Sequence, residues 1–204
     1  MLNSIQELDM DRKDQNIFGG QSVSIGCHVT VASYCLPQAL STLQKSAPDY
    51  RIELRHDLSR NVQAEVQHGR LDVGIVINPV RVPDLVVSRL GYDIVAVWEG
   101  ATVFDPQTVI CNSNLFQSQA ILKKWKLRPR KTIETESLDL ICRLTSKGLG
   151  YGIIPTKAVE LSDEKLRQVK SLPTYKDEIA LVHRPEFGRS QPERLLLDAI
   201  RSAF

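Results

Sequence analysis

Between residues 23 and 80 three strand-like runs alternate with two helix-like stretches, and this βαβαβ order commits the chain to a parallel sheet with crossover helices. In sheets of this kind ligands gather along the edge beyond the carboxyl ends of the strands. Residues 22–27 alternate as a strand, and the loop Cys27-His28-Val29-Thr30 leads into a helix expected over 33–47. Leu36, Ala39, Leu40 and Leu43 fall there at i, i+3, i+4 and i+7, one buried stripe. Pro37 fits if it lies in the first turn, and Pro48 stops the far end. Residues 50–55 alternate again. Ser59 then stands as a candidate N-cap ahead of Val62 and Val66, with Gly69 supplying a left-handed stop. The run 72–77 is almost wholly apolar, as a central parallel strand covered on both faces must be.

After a β-rich stretch over 85–98, interrupted at Gly91, the alternation begins afresh near Ala101, which marks a second lobe. There 108–111 reads as a strand, Asn112-Ser113-Asn114 as a polar loop, and Ala120, Ile121 and Trp125 as a helix. A strand over 131–135 follows, then a helix capped by Ser137 with the stripe Leu138, Ile141, Cys142 and Thr145, ended by Gly148. Residues 151–154 form a strand, 165–171 a weak one and 178–183 another, before a closing helix marked by Leu195, Leu196, Ala199, Ile200 and Ala203. This last strand and helix are expected back on the first lobe, whose three-stranded sheet is otherwise under-covered. Residues 1–19 read as a linker or the tail of a preceding helix, punctuated by Gly19-Gly20.

Composition narrows the function. With 26 basic against 24 acidic side chains and no basic block, tight nucleic-acid binding by this chain alone is disfavoured. The apolar runs fall far short of the ~18 residues of a membrane span, and the acidic-polar start does not resemble an export signal, so a cytoplasmic location and no membrane partner are expected. Cys27, Cys35, Cys111 and Cys142 show no metal-ligand spacing and read as reduced core thiols. A redox alternative attaches to Cys27 and Cys111, each at a strand end, but His28 is the sole cationic neighbour of either in sequence. No nucleophile-elbow, P-loop, zinc or dinucleotide motif occurs, so neither catalytic residues, nor a metal, nor a cofactor is assigned. Gly148-Leu149-Gly150-Tyr151-Gly152 precedes a strand instead of opening a helix, which suits a tight helix-to-strand turn.

One set of residues carries a resemblance. Val23-Ser24-Ile25-Gly26, Leu36-Pro37, Ala47-Pro48, Gly69-Arg70-Leu71-Asp72-Val73-Gly74-Ile75 and Gly148-Leu149-Gly150-Tyr151-Gly152-Ile153-Ile154-Pro155, in this order and spacing, resemble the effector-binding region of LysR-type transcriptional regulators from about Gln21 to Phe204. The resemblance implies an α/β fold of two Rossmann-like lobes joined by crossover strands, like the type 2 periplasmic binding proteins. Lobe I would span 20–97 and 172–204, lobe II 98–171, with hinges near Val97-Trp98 and Lys170-Ser171. It implies DNA contact only through a winged helix-turn-helix that precedes this region in the family and is absent from this chain. The connection 98–109 looks shorter than the family's, which puts its usual short helix there in doubt.

Carried over by position, the resemblance assigns effector contact to Thr30 and Ser59 on one wall and to Asn112, Ser113, Asn114, Thr135, Glu136 and Ser137 on the other. His28 and Val29 share the Thr30 loop, His28 as a possible donor or pH sensor. Ile77 and Asn78 close the third strand at the same edge, Ile77 adding an apolar patch. Helix N-termini behind these loops suit a small, anionic metabolite with some hydrophobic body, while Glu134 and Glu136 leave the sign of the field open. Ser59 and Ser137 are also expected as simple caps. The resemblance further implies a homodimer or homotetramer, built by laying the 33–47 helix of one chain against the 117–126 helix of its partner. A transport-type solute receptor and a small enzyme on the same lobes remain alternatives, since fold alone does not specify function.

Overall fold

Alternating apolar runs and amphipathic stripes assemble into one sheet with helices on both faces. The computed structural model describes residues 22–46, 51–125 and 129–204. The strands are β1 (Ser22–Cys27), β2 (Arg51–His56), β3 (Val73–Ile77), β4 (Val86–Glu99), β5 (Thr108–Cys111), β6 (Lys131–Glu134), β7 (Tyr151–Pro155), β8 (Arg167–Gln168) and β9 (Tyr175–His183). The helices are α1 (Val29–Ser46), α2 (Ser59–Gln67), α3 (Phe116–Lys124), α4 (Leu138–Ser146), α5 (Thr156–Leu161) and α6 (Gln191–Arg201). The strand order is β2-β1-β3-β9-β4-β7-β5-β6, with β8 beside β4.

Two parallel trios, β2-β1-β3 and β7-β5-β6, lie at either end, and antiparallel β4 and β9 cross between them. In the first lobe α1 and α6 bury Cys35, Leu36, Leu43, Leu196 and Ile200 against Ile25, Ile75 and Leu181. On the opposite face Val62 and Val66 of α2 pack on Val76 and Val182. The second lobe repeats this arrangement: α4 sets Ile141 and Cys142 against Ile110 and Ile154, and α3 sets Ile121 against Val97, Val109 and Ile153. Full burial of each such aliphatic side chain contributes about 1.5–3 kcal/mol, which is why both sheet faces need cover.

Three local expectations change. Helix α1 begins at Val29 instead of residue 33, because Val31 and Ala32 extend the buried stripe of Cys35, Leu36 and Ala39 back by one turn. Pro37 therefore lies inside the helix, where it withholds an N–H at a cost of about 3 kcal/mol. Its ring faces solvent, and burial of the inner stripe offsets the loss. Ser59 makes no cap; Leu58 holds that position, and Asp57 Oδ1 accepts from Leu58 N and Asn61 Nδ2 at 2.6 and 2.8 Å. Helix α5 has no counterpart in the sequence pattern, since six residues are too few to display a stripe.

The weak strand expected over 165–171 is only Arg167–Gln168, and the one expected over 178–183 starts earlier, at Tyr175. Ser137 caps α4 by accepting from Leu140 N, Gly69 and Gly148 adopt φ of 75° and 79°, and the final helix opens with a Ser190/Glu193 capping box. The closing strand and helix do rejoin the first lobe, β9 pairing with β3 and α6 packing on α1. Strand β4 pairs with β9 over Val86–Val95 and with β7 over Val95–Trp98, and β9 starts at Tyr175. Segment 100–107 contains no helix. Residues 1–19, Ala47 and Lys126 lie outside the described residues.

Candidate functional site

The carboxyl ends of β1, β2 and β3 and the first turns of α1 and α2 face, across β4 and β9, the first turns of α3 and α4. Between them is a cavity of about 380 Å³. His28, Thr30, Val31, Tyr34, Leu58, Ser59, Arg60, Ile77 and Asn78 line it from the first lobe, and Asn114, Leu115, Phe116, Gln117, Leu138 and Ile153 from the second. Asp93, Val95, Tyr175 and Asp177 on the crossing strands form its floor. The first N–H groups of a helix have no intrahelical acceptor, so α1 and α2 direct donors at this space.

The cavity thus gathers His28, Thr30, Ser59, Ile77, Asn78 and Asn114 of the residues singled out in sequence. Val29, Asn112, Ser113, Thr135, Glu136 and Ser137 do not line it. Val29 is the outward first residue of α1. Asn112 is buried and its Oδ1 accepts from Asn114 N at 3.0 Å. Ser113 donates to Glu134 at 2.9 Å, Asn114 Nδ2 to Glu136 at 3.2 Å, and Thr135 Oγ1 accepts from Ser137 N at 3.2 Å. These bonds pin the β5 and β6 loops to each other beside the cleft.

Most of the gathered polar groups have a structural partner as well. Ser59 Oγ accepts from Ile77 N at 2.9 Å, tying α2 to the end of β3. Asn78 sits at φ 51°, a left-handed conformation that asparagine tolerates. From there its N–H donates to Glu178 O, its Oδ1 accepts from Glu178 N, and its Nδ2 donates to Asp177 at 2.6 Å. His28 Nδ1 accepts from Thr30 N at 3.3 Å, which leaves Nε2 as the protonated nitrogen of the neutral ring. Burial, helped by the charge of His56, holds the His28 pKa below its usual value, so the ring is uncharged at neutral pH.

Asp93 and Asp177 are the main residues that sequence reading passed over. Burial pushes the Asp177 carboxyl up to about 6, with Asp93 adding to the rise while Asn78 and Gln117 oppose it. Gln117, from α3, donates to both Asp177 oxygens at 3.0 and 2.8 Å, so one carboxylate accepts from both lobes. Asp93 is likewise raised, chiefly by burial. A signal existed: each acid is in phase with buried residues on its strand, Asp93 with Val95 and Val97 and Asp177 with Ile179 and Leu181.

The thiols give the redox alternative no support. Cys27 and Cys111 are fully buried, and burial raises them to about 12 and about 11, the Glu134 charge adding to the second. The native protein at pH 8 is expected to leave these thiols unlabelled by a thiol-disulfide reagent over minutes and to react fully in denaturant. Rapid native labelling of either would reverse this assignment. Among the described residues no group of three or more His, Cys, Asp or Glu side chains is placed to hold a metal, and no helix is long and apolar enough to cross a membrane.

Residues 19–97 and 109–204 match the family described as the LysR substrate binding domain. The unmatched stretch, 98–108, covers the end of β4 and its connection to β5. Among solved structures, an OxyR2 regulatory-domain variant from Vibrio vulnificus is similar with a TM-score of 0.71 at 19% identity, covering 94% of this chain and 99% of that one. The reduced OxyR regulatory domain from Pseudomonas aeruginosa gives 0.68 at 20%, covering 90% and 98%. The effector binding domain of a BenM variant gives 0.71 at 18%, covering 90% and 94%. At these identities the likeness establishes the two-lobed α/β fold. No curated protein matches the chain.

Proposed function

The chain belongs to the LysR substrate-binding-domain family, and from that premise we propose that it senses a small metabolite in the cleft between its lobes and thereby sets the geometry of a transcription factor. The observation that carries this reading is the cavity itself, walled by helix N-termini of both lobes and floored by the two strands that cross between them. A ligand touching both walls favours the closed arrangement to the extent that it binds that arrangement more tightly. The lobes turn about β4 near 91–95 and β9 near 175–178, a refinement of the 20–97, 98–171 and 172–204 division. DNA is reached through a separate winged helix-turn-helix.

The oligomer is a homodimer or homotetramer that places α1 of one subunit beside α3 of its partner. Beyond the first turns, where Val29 and Phe116 are exposed and apolar, the outward residues of these helices, Gln38, Ser41, Gln44 and Lys45 on α1 and Gln119, Lys123 and Lys124 on α3, are exposed and polar. Such an interface would be hydrogen-bonded rather than apolar, and so sensitive to salt. The α1 and α2 N-termini still offer donors to an anionic group, whereas at the floor the balance of charge favours a cation, because His28 is neutral, Arg60 is exposed, and the buried charges of the lining are the two acids.

A thermal-shift screen of small metabolites tests the function. Ligand at 100 times its dissociation constant adds about 2.7 kcal/mol, enough to move the midpoint by several degrees. Thr30→Ala and Ser59→Ala are each expected to weaken a hit by about five- to tenfold, the loss of roughly one hydrogen bond at the α1 and α2 N-termini. A hit whose affinity ignores both substitutions, or a screen with no hit at all, would remove the cleft from this role.

A further inference from the structure

The floor of the cleft carries an electrostatic arrangement that the sensing role alone does not require. Asp93 and Asp177 are register partners on antiparallel strands, so their side chains leave the same sheet face about 5 Å apart at Cβ. Both line the cavity, and both are more than nine-tenths buried, at 8% and 4% exposure. Like charges directly opposite each other repel, and burial removes the water that would soften the repulsion. Among the described residues neither carboxylate forms an ion pair. The Lys157 ammonium, whose charge reaches Asp93, lies instead over the rings of Tyr34 and Phe204, at 4.9 and 5.9 Å.

The hydrogen bonds made by this pair do not need its charge. Asp177 accepts from Asn78 and Gln117, and Asp93 accepts from the N–H groups of Ile94 and Lys157 at the start of α5. A neutral amide oxygen accepts such bonds as well. Beside polar groups such as Asn78 and Gln117, the same cavity presents aromatic rings: Tyr34, and the edge-to-face pair Phe116 and Tyr175 with centroids 5.7 Å apart. Carboxylates beside aromatic rings attract an organic ammonium twice over, by charge and by the ring quadrupole. A hard metal ion asks for six or more oxygen ligands, which two carboxylates do not supply.

We propose that the effector of this cleft carries an alkylammonium group, which seats against Asp93 and Asp177 while an apolar body lies against Phe116, Tyr175 and Ile153. This rests on the sensing role proposed above and names the chemical class of its ligand. The bound cation relieves the repulsion between the two acids, so binding energy comes from a tension already present in the free protein.

The test uses the 204-residue chain and three probes of matched shape at pH 7.5: phenethylamine, phenylacetate and 2-phenylethanol, followed by calorimetry. Phenethylamine is expected to bind at least about tenfold more tightly than either of the others, as one charge-assisted hydrogen bond would give. Asp177→Asn and Asp93→Asn are each expected to lower amine affinity by about tenfold and leave the alcohol unchanged. Asp177→Asn keeps its fold, because both Asn78 and Gln117 reach the Oδ1 position that the amide oxygen would occupy. Equal or tighter binding of the anion or the alcohol, no binding by any probe, or an amine preference that survives both substitutions overturns the proposal. The first of these leaves the sensing role standing with another ligand class, whereas only failure of the broad metabolite screen removes that role.

Discussion

Asp177→Asn is expected to make the protein more stable at neutral pH, although it removes a hydrogen-bonded buried side chain. In the folded protein the carboxyl titrates at about 6, against 3.8 when unperturbed. Between those values the folded chain holds a proton that the unfolded chain has released, so stability falls as pH rises through that window and the full loss is in place above about pH 7. At 4% exposure little screening applies, and the loss amounts to roughly 3 kcal/mol. The amide avoids it and keeps the Asn78 bond and one Gln117 bond, but its Nδ2 then faces the Gln117 amide nitrogen, donor to donor, which costs about 1–2 kcal/mol. A net gain of about 1–2 kcal/mol follows at pH 8, or roughly 2–8 °C in midpoint, turning into a small net loss near pH 4. Urea unfolding at pH 5 and pH 8 measures it, and a variant less stable than the parent at pH 8 would refute the cost assigned to burying the Asp177 charge, to which Asp93 adds.

Gly148→Ala should be among the most damaging single substitutions. At φ 79° an alanine costs about 1 kcal/mol in backbone strain alone. Its Cβ would also lie 2.5 Å from the carbonyl oxygen of Thr102 and 2.9 Å from the Phe104 ring, and a backbone oxygen cannot swing aside. Phe104 N donates to the Gly148 carbonyl at 2.8 Å, so relief by moving the 100–107 segment breaks that bond. The total is at least about 3 kcal/mol, a midpoint lowered by roughly 6–12 °C. Gly91→Ala is the control, since a Cβ there meets nothing within 4 Å and should leave stability unchanged or slightly raised. If both substitutions act alike, crowding at residue 148 is not what fixes that turn.

The two-lobe plan was legible because each lobe is made of short, strongly patterned pieces. The unbroken apolar run ending at Ile77 could only be a covered central strand, and the Gly148 to Pro155 run combines a left-handed stop with the strand that follows it. Helix starts were less legible. Periodicity marks the buried face of α1 but not its first turn, where His28 supplies an imidazole nitrogen in place of the usual hydroxyl. Ser59 showed the residue type of a cap, yet its hydroxyl serves Ile77 across space, a partner 18 positions away that no local pattern reveals.

The floor of the cleft was hidden for a related reason. Asp93 and Asp177 are 84 residues apart in sequence (177 − 93) and meet only through the register of β4 with β9. Either one alone looks like a single polar residue beside an apolar strand run. Loop residues drew attention by their chemistry, whereas the aromatic wall from Tyr34, Phe116 and Tyr175 depends on three elements arriving together.

The antiparallel lacing of β4 with β9 also sets how the molecule can deform. A hydrogen-bonded ribbon resists being stretched or peeled far more than it resists torsion, since twisting two strands about each other leaves the rungs of their ladder intact. If a ligand closes the cleft as proposed, the lobes would turn like two blades on one torsion bar, with a change of angle much larger than any change of length. A body carried on the outer surface of either lobe would then be steered rather than pushed.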